Sequence, residues 1–326
     1  MQAFNAMVRM VTIGMLMAIA GAAAAQQAYP TKPIRFIVPF PPGGSTNIAA
    51  RIIGQKLNES LGQSVIVDNR GGGNTIIGTE AVAKSAPDGY TLLLATSTLA
   101  IQPHLIADLP YDAFKDLAPV ATLTKSEYIL AVHPSVPANN LQEFIALAKS
   151  KPGQLNYATS GAGGPQNLAG ELFNILAGVK IVHIPYKGGG PAFIDLVAGQ
   201  VQCAFNNAIN VLPHYKTGKL KALAISGEAR AAAMPQVPTF TEGGLPGFNV
   251  RNWFGIVVAA GTPKPIIEKL AAEAAKIMTM PDVREKFASQ GVEPFFSNPE
   301  QFAALMKSDY VTYGKVIKAA NIKIEK

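Results

Sequence analysis

The chain has 326 residues, of which 48% are apolar and only 15% are charged, enough for two domains with separate cores and too apolar for a disordered polypeptide. The formal net charge of +7 comes from scattered Lys and Arg, without a basic run or an aromatic-interleaved patch, so nucleic acid is excluded as the expected partner. What remains is a mild bias toward anionic ligands.

Residues 1–25 read as a cleavable secretory signal. Arg9 closes a short n-region, residues 11–20 form an apolar h-region, and Ala23-Ala24-Ala25 offers a small-residue cleavage site before Gln26. The apolar stretch is short for a membrane span. Removing it takes away Arg9 and leaves 27 basic against 21 acidic residues. No cysteine follows the cleavage site, which argues against a lipid-modified N-terminus. The single thiol, Cys203, cannot form an internal disulfide. It lies in the apolar pattern Val201, Cys203, Phe205, the setting of a buried, inert thiol. The expectation is an exported, soluble, disulfide-free protein in the periplasm.

From Pro33 to Tyr90 strand and helix alternate. Phe36-Ile37-Val38 reads as a buried strand, broken by Pro41-Pro42-Gly43-Gly44. Ser45 and Thr46 suit a helix start, and Ile48, Ile52, Ile53 and Leu57 recur at helical spacing. A strand, a glycine turn and a helix aim free backbone N–H groups and the positive helix end at one spot, where an anion fits without a lysine. The same pattern also serves as a plain strand-to-helix turn. Ser64 to Val67 reads as a second strand, Asn69 to Asn74 as a glycine loop, and Ile77 to Ala83 as a helix. The turn Pro87-Asp88-Gly89 leads into Tyr90 to Ala95, a continuous apolar strand covered on both faces. Thr96-Ser97-Thr98 stands at its carboxyl end, where ligands of open α/β sheets sit.

A second unit begins near Leu123. Strands are expected at Tyr128 to Val132, Leu155 to Thr159, Ile181 to Ile184, Val201 to Phe205 and Ala222 to Ile225, with a helix at Leu141 to Lys149. Two more glycine turns precede helices. One is Ser160-Gly161-Ala162-Gly163-Gly164-Pro165-Gln166, followed by Leu168, Leu172, Ile175 and Leu176. The other is Tyr186-Lys187-Gly188-Gly189-Gly190-Pro191, followed by a helix from Ala192 to Ala198. The first of these departs from G-x-G-x-x-G at Gln166 and lacks an acidic ribose partner, so no dinucleotide or other cofactor is expected.

Residues 230–247 read as a long connection and Trp253 to Val258 as a strand; helices then run to the end. This tail has no core of its own and is expected to return to the first unit, with crossings near 123–127 and 245–250. The expected fold is therefore α/β, a two-domain periplasmic binding protein of the Venus flytrap kind. Each domain is a mainly parallel sheet flanked by helices, with two hinge crossings. Domain I takes residues 26–125 and 248–326, domain II residues 126–247. Hinged domains around a cleft imply capture by closure.

Catalysis finds little support. His104, His133, His183 and His214 are far apart and lack metal-ligand spacing. Thr159-Ser160-Gly161 lacks the glycine two positions before the serine that a nucleophile elbow needs. Lys187 and Arg70 could meet a ligand anion or simply face solvent. No enzyme, cofactor or metal is expected.

An ordered set of segments carries a resemblance: Tyr29-Pro30, Pro33-Ile34-Arg35, residues 38–44, Asn69-Arg70, residues 86–90, 168–173, 185–188 and 218–224, and Val237-Pro238-Thr239. In these the chain, from about Tyr29 to its end, resembles the Bug-type substrate-binding receptors of the tripartite tricarboxylate transporter family. The resemblance implies a periplasmic receptor for a small carboxylate, held largely by backbone groups, hydroxyls and water, working with a membrane permease. It implies contacts from Gly43, Gly44, Ser45, Asn47, Ser97, Thr98, Thr159, Ser160, Gly164, Gln166, Pro191, Ala192 and Asn206. Four departures stand out. Asn47 and Asn206 replace acids common in the family, Asn167 stands where a histidine is common, and Gly164 where a serine is. Amides in place of acids disfavour a cationic ligand and point to a mono- or dicarboxylate, aliphatic or aromatic. The rival readings are a sensing co-receptor docked on a signalling protein and an exported enzyme. Nothing in the sequence requires more than a monomer.

Overall fold

The computed structural model describes residues 29–248, 250–289, 292–319 and 321–322, so the signal expected at 1–25 lies outside the described residues. In chain order the first elements are β1 (Ile34–Val38), α1 (Ser45–Leu61), β2 (Val65–Asn69), α2 (Ile76–Ala83), β3 (Thr91–Thr96), α3 (Thr98–Ile101) and β4 (Leu117–Val132). The middle of the chain forms α4 (Leu141–Ser150), β5 (Asn156–Thr159), α5 (Pro165–Ala177), β6 (Val182–Pro185), α6 (Gly189–Val197), β7 (Cys203–Asn207), α7 (Ala208–Lys216) and β8 (Lys221–Ile225). The chain then returns through β9 (Arg251–Ala259), α8 (Lys264–Thr279), α9 (Pro281–Ser289), β10 (Glu293–Ser297) and α10 (Pro299–Ala319).

This is a two-lobed α/β fold built on one curled sheet, in the order β2-β1-β3-β9-β4-β7-β5-β6. β1 pairs in parallel with β2 and β3, and β5 in parallel with β6 and β7. Between these outer parallel parts the strands are antiparallel: β9 to β3 and β4, and β4 to β7, β8 and β10. The sheets are thus mixed where the sequence suggested mainly parallel ones. The reason is that β4 carries the chain out of the first lobe and β9 carries it back, so the two run in opposite directions side by side.

β4 also differs from expectation. It is one strand of 16 residues, where the sequence suggested a strand only from Tyr128 and a connection before it. Pro119 and the buried hydroxyls of Thr122, Thr124 and Ser126 obscure its first part. Register shifts against β9 at Pro119/Ala121 and Thr122/Thr124 absorb the missing proline N–H. Up to Glu127 the strand pairs with β9, and from Tyr128 it pairs with β7 and β8. One crossing therefore lies within a strand. α7 and β10 were not anticipated either. Pro213 sits inside α7 and hides it, and Pro294 does the same for β10.

The strands alternate faces as a two-residue period requires. In β1, Ile34, Phe36 and Val38 enter one core with α1 and α8, while Ile37 faces another with Trp253 and with Phe302 and Met306 of α10. In β4, Tyr128, Leu130 and Val132 pack under α4 and α5, and Ile129 and Ala131 pack under α6 and α7. Cys203 is fully buried in the first of these second-lobe cores, and burial pushes its thiol well above the usual range. Its inertness follows. Among the described residues no helix is long and apolar enough to cross a membrane.

Candidate functional site

Helix starts gather between the two lobes. α1, α5 and α6 begin after Gly44, Gly164 and Gly188, and none receives a side-chain capping bond. The same holds for α7, which begins after Asn207. Away from the cleft the fold does cap a helix: Asn140 Oδ1 accepts from Glu143 N at 2.9 Å at the start of α4. Leaving a helix start uncapped keeps its first N–H groups unpaired and its positive end exposed to whatever lies opposite.

The lobes meet backbone to backbone at glycines. A Cβ added to Gly190 would stand 2.8 Å from the Pro42 carbonyl oxygen, and one on Gly188 would stand 2.6 Å from Pro41 Cδ. Asn207 Nδ2 donates to Ser45 Oγ across the gap at 3.2 Å. Asn74, held with Thr75 in the left-handed region (φ 54° and 76°), donates from Nδ2 to the Ala162 carbonyl in the opposite lobe.

Behind these contacts lies a cavity of about 40 Å³, room for a few waters. It is lined by Phe40, Gly44, Ser45, Thr46, Thr96, Thr98, Tyr128, Ser160, Pro165, Gln166, Gly189, Asn207, Asn210, Asn252 and Phe254. Among the described residues no charged side chain lines it. Phe40 and Ser160 also line a wider space of about 770 Å³ toward solvent, which includes Pro41, Pro42, Tyr186 and the exposed Lys187.

Five of the residues expected at the site, Gly44, Ser45, Thr98, Ser160 and Gln166, line the inner cavity. Others stand just behind it. Ser97 Oγ donates to Asn252 Oδ1 at 2.8 Å and orients that amide. Gly43 lies against Gly190 at the lobe contact, and Gly164 precedes α5. Thr159 Oγ1 donates to the Gly161 carbonyl at 2.9 Å. Asn206 Oδ1 accepts from Asn207 N at 2.9 Å and from Asn210 Nδ2 at 3.2 Å, bracing the two amides that do reach the cavity. Pro191 and Ala192 lie on α6 outside the lining, Pro191 exposed and Ala192 buried in a second-lobe core. Asn47 faces its own lobe, donating to Asn69 Oδ1 at 2.8 Å and accepting from Arg51 Nε at 3.3 Å. The amides at 47 and 206 therefore do not set the charge of the cavity, as the sequence suggested; the neutrality of its whole lining does.

Thr96, read at the carboxyl end of its strand where ligands sit but not named as a contact, also lines the cavity, whereas Phe40, Thr46, Tyr128, Pro165, Gly189, Asn207, Asn210, Asn252 and Phe254 were not expected there. Asn207 and Asn210 flank the start of the unanticipated α7, and Tyr128, Asn252 and Phe254 come from the crossing strands. For Asn207 the available signal was the polar Asn206-Asn207 pair ending an apolar strand.

Side chains of α5 fix the second glycine turn. Ser160 N donates to Gln166 Oε1 at 2.7 Å and Gly163 N to Asn167 Oδ1 at 3.0 Å. Asn167 Nδ2 donates to Tyr157 OH at 3.0 Å, which in turn donates to Glu171 Oε1 at 2.6 Å. With its oxygen engaged, Gln166 has only its amide N–H groups for the cavity.

His183 stacks on Tyr157 and shares a 2.7 Å hydrogen bond with Thr159 Oγ1. Burial pushes its pKa down to about 4. An unfolded chain takes up that proton near pH 6.5, whereas the folded protein refuses it until about pH 4. Between those values the unfolded state binds more protons, so stability falls as pH drops. The expected loss is about 2 kcal/mol, discounted for the partial exposure of the ring. Urea unfolding at pH 7.5, 5.5 and 4 measures it. His183→Gln should flatten that dependence, and an unchanged pH profile in the variant would assign the loss to other groups.

Little in the cavity suggests turnover. His104 Nε2 bonds the Tyr310 carbonyl at 2.7 Å, His133 Nδ1 bonds Ser135 Oγ at 2.7 Å, and no histidine lines the cavity among the described residues. Among those residues no cluster of His, Cys, Asp and Glu could hold a metal ion. Arg70 pairs with Asp68 at 3.0 Å and Arg35 with the same carboxylate at 2.7 Å, and this pairing lowers the Asp68 pKa.

Comparison with known proteins agrees with this geometry. A family model described as "Tripartite tricarboxylate transporter family receptor" matches residues 49–322. Protein BugT of Bordetella pertussis is 39% identical over 317 residues, covering 96% of this chain and 97% of that protein. An R. palustris protein solved with adipate is 31% identical with a TM-score of 0.88, covering 90% of this chain and 99% of that one. MatC from Rhodopseudomonas palustris, solved with bound malate, is 33% identical with a TM-score of 0.84, covering 89% and 100%.

Proposed function

The chain belongs to the tripartite tricarboxylate transporter receptor family, and from that premise we propose that it captures a small carboxylate between its lobes and delivers it to a membrane permease. The observation that carries this reading is the convergence of uncapped helix starts on a cavity without a charged side chain among the described residues. A carboxylate is well matched there: its two oxygens accept only, and the helix ends supply N–H groups and positive potential. A cation would meet that potential with no carboxylate to offset it. Relatives solved with adipate and malate support the ligand class. The ligand is a mono- or dicarboxylate, aliphatic or aromatic.

A cavity of about 40 Å³ is the closed state of such a cleft, so the lobes open to admit the solute and close on it. The lobe division proposed is residues 26–125 with 248–326 against 126–247; the change of β4 partners between Glu127 and Tyr128 supports it. Export through residues 1–25 completes the reading. Lys187, exposed at the mouth, adds to the bias toward anions.

The test is a thermal-shift screen of the protein against aliphatic and aromatic carboxylates, amino acids and neutral solutes. A ligand at about a hundred times its dissociation constant adds about 2.7 kcal/mol to stability. The midpoint should rise with one class of carboxylate, in proportion to the logarithm of concentration, with the ligand recovered unchanged. Arginine and lysine should leave it in place. Tight binding of either cationic amino acid, or consumption of the ligand, would overturn the reading.

A further inference from the structure

Two helices of the second lobe, α5 and α7, do not bury all their apolar residues in their own lobe. In α5, Ala169, Phe173 and Ala177 belong to a second-lobe core. Leu168 does not. It is 2% exposed, in a cluster whose other buried members are Ala100 and Ile101 of α3 and Tyr313 and Ile317 of α10, all from the first lobe. In α7, Ala208, Val211 and Leu212 belong to the other second-lobe core. Ile209, 1% exposed, is instead buried in the first-lobe core that holds Ile34, Phe36 and Val38 of β1.

These are also helices whose starts reach the ligand space. Pro165 and Gln166 of α5, and Asn207 and Asn210 around the start of α7, line the inner cavity; Leu168 and Ile209 do not. Leu168 follows Pro165 by three residues, so the two stand on one face of α5. Ile209 directly precedes Asn210. The receiving side of Leu168 is fixed to the hinge: Tyr313 OH donates to the Arg251 carbonyl at 2.7 Å, beside Asn252 of the cavity lining. Each helix therefore offers its first turn to a ligand and sets one apolar side chain into the opposite lobe.

We infer that Leu168 and Ile209 are positioning residues that hold the two lobes together around the ligand without touching it. The inference rests on the receptor reading and deepens it, because it assigns part of the affinity to residues outside the cavity. Opening the cleft draws both side chains out of first-lobe apolar surroundings into water. Burial of a side chain of this size favours the closed form by roughly tenfold to a hundredfold. The two receiving clusters share no residue, so their contributions add in free energy and multiply in the closing equilibrium. A ligand then supplies only the remainder of the free energy of closure, and its apparent affinity follows the population of the closed form.

Calorimetric titration with malate, adipate and benzoate, together with small-angle scattering of the unliganded protein, tests this. Leu168→Ala and Ile209→Ala should each shift the closing equilibrium about tenfold toward the open form, and the double variant about a hundredfold. If the unliganded protein is mostly open, the shift reads as that loss of affinity for whichever probe binds. If it is mostly closed, the shift reads as a larger radius of gyration. Leu168→Met and Ile209→Val keep most of the apolar volume and should stay within about threefold of the parent. Phe173→Leu, on the same helix but in the second-lobe core, is the control. It should lower the melting point and leave affinity and radius in place. Far-UV circular dichroism establishes that each variant is folded. Affinity and radius both unchanged in the double variant would overturn the inference. A loss in Phe173→Leu equal to that in Leu168→Ala would overturn it too, by tracing the effect to general stability. If the parent binds none of the probes while its radius still grows in the double variant, the closing role stands and the receptor reading fails.

Discussion

Gly190→Ala should weaken ligand binding about tenfold to a hundredfold while leaving the fold intact. The position sits in the first turn of α6, and a Cβ there would stand 2.8 Å from the carbonyl oxygen of Pro42 in the other lobe. Both sides of the contact are backbone, so neither can rotate away. Only a wider separation of the lobes relieves it. Gly190 is absent from the glycines with positive φ, so alanine suits its conformation and should favour the helix by up to about 1 kcal/mol. The variant should therefore melt at or slightly above the midpoint of the unliganded parent, yet respond far less to ligand. Titration with the carboxylate found by the screen reads the affinity, and small-angle scattering with saturating ligand reads the closure. Unchanged affinity would mean that the ligand is held without bringing Pro42 and Gly190 together.

Phe205→Ala is expected to have the largest effect on stability. The ring is 0% exposed. It lies 5.5 Å from Phe173, 5.7 Å from Phe248, 6.2 Å from Tyr157 and 6.4 Å from Phe240, so one side chain joins β5, α5 and the segment that leads back to the hinge. Removing it should cost about 3–5 kcal/mol, a large part of the roughly 5–15 kcal/mol that holds a folded domain together. Urea unfolding followed by circular dichroism measures the loss. Ile194→Ser, at an exposed position of α6, serves as the control and should stay within about 0.5 kcal/mol. A loss below about 1 kcal/mol at Phe205 would show that the second-lobe core can collapse around the gap.

Several features of the site were readable because they are local. A glycine turn before a helix is written in consecutive residues, and all three such turns, at Gly44, Gly164 and Gly188, do open helices at the cleft. Ser45, Ser160 and Gln166 belong to those turns and reach the inner cavity. The ordered segments that resemble the transporter receptors were likewise legible, since each is a short run with fixed spacing. That a strand is buried was legible too, as in the apolar run Phe36-Ile37-Val38, although which face of it meets which core is decided by the fold.

Asn206 and Asn207 show where that reading stops. The sequence offers two adjacent amides at the end of a strand and no way to choose between them. In β7 their side chains leave on opposite faces. Pairing with β4 then turns Asn207 to the cavity and leaves Asn206 to brace it from behind. Asn47 belongs to a helix start that the sequence identified, yet its side chain turns to Asn69 within its own lobe.

By itself, then, the sequence determined the alternating elements, the glycine-opened helix starts and the family, because these depend on neighbours within a few residues. Tertiary structure alone decided which residues line the ligand space and that no charge enters its lining among the described residues. Those properties arise where residues as distant as Ser45, Tyr128, Asn207 and Asn252 come together, and no local periodicity encodes the angle at which two lobes close.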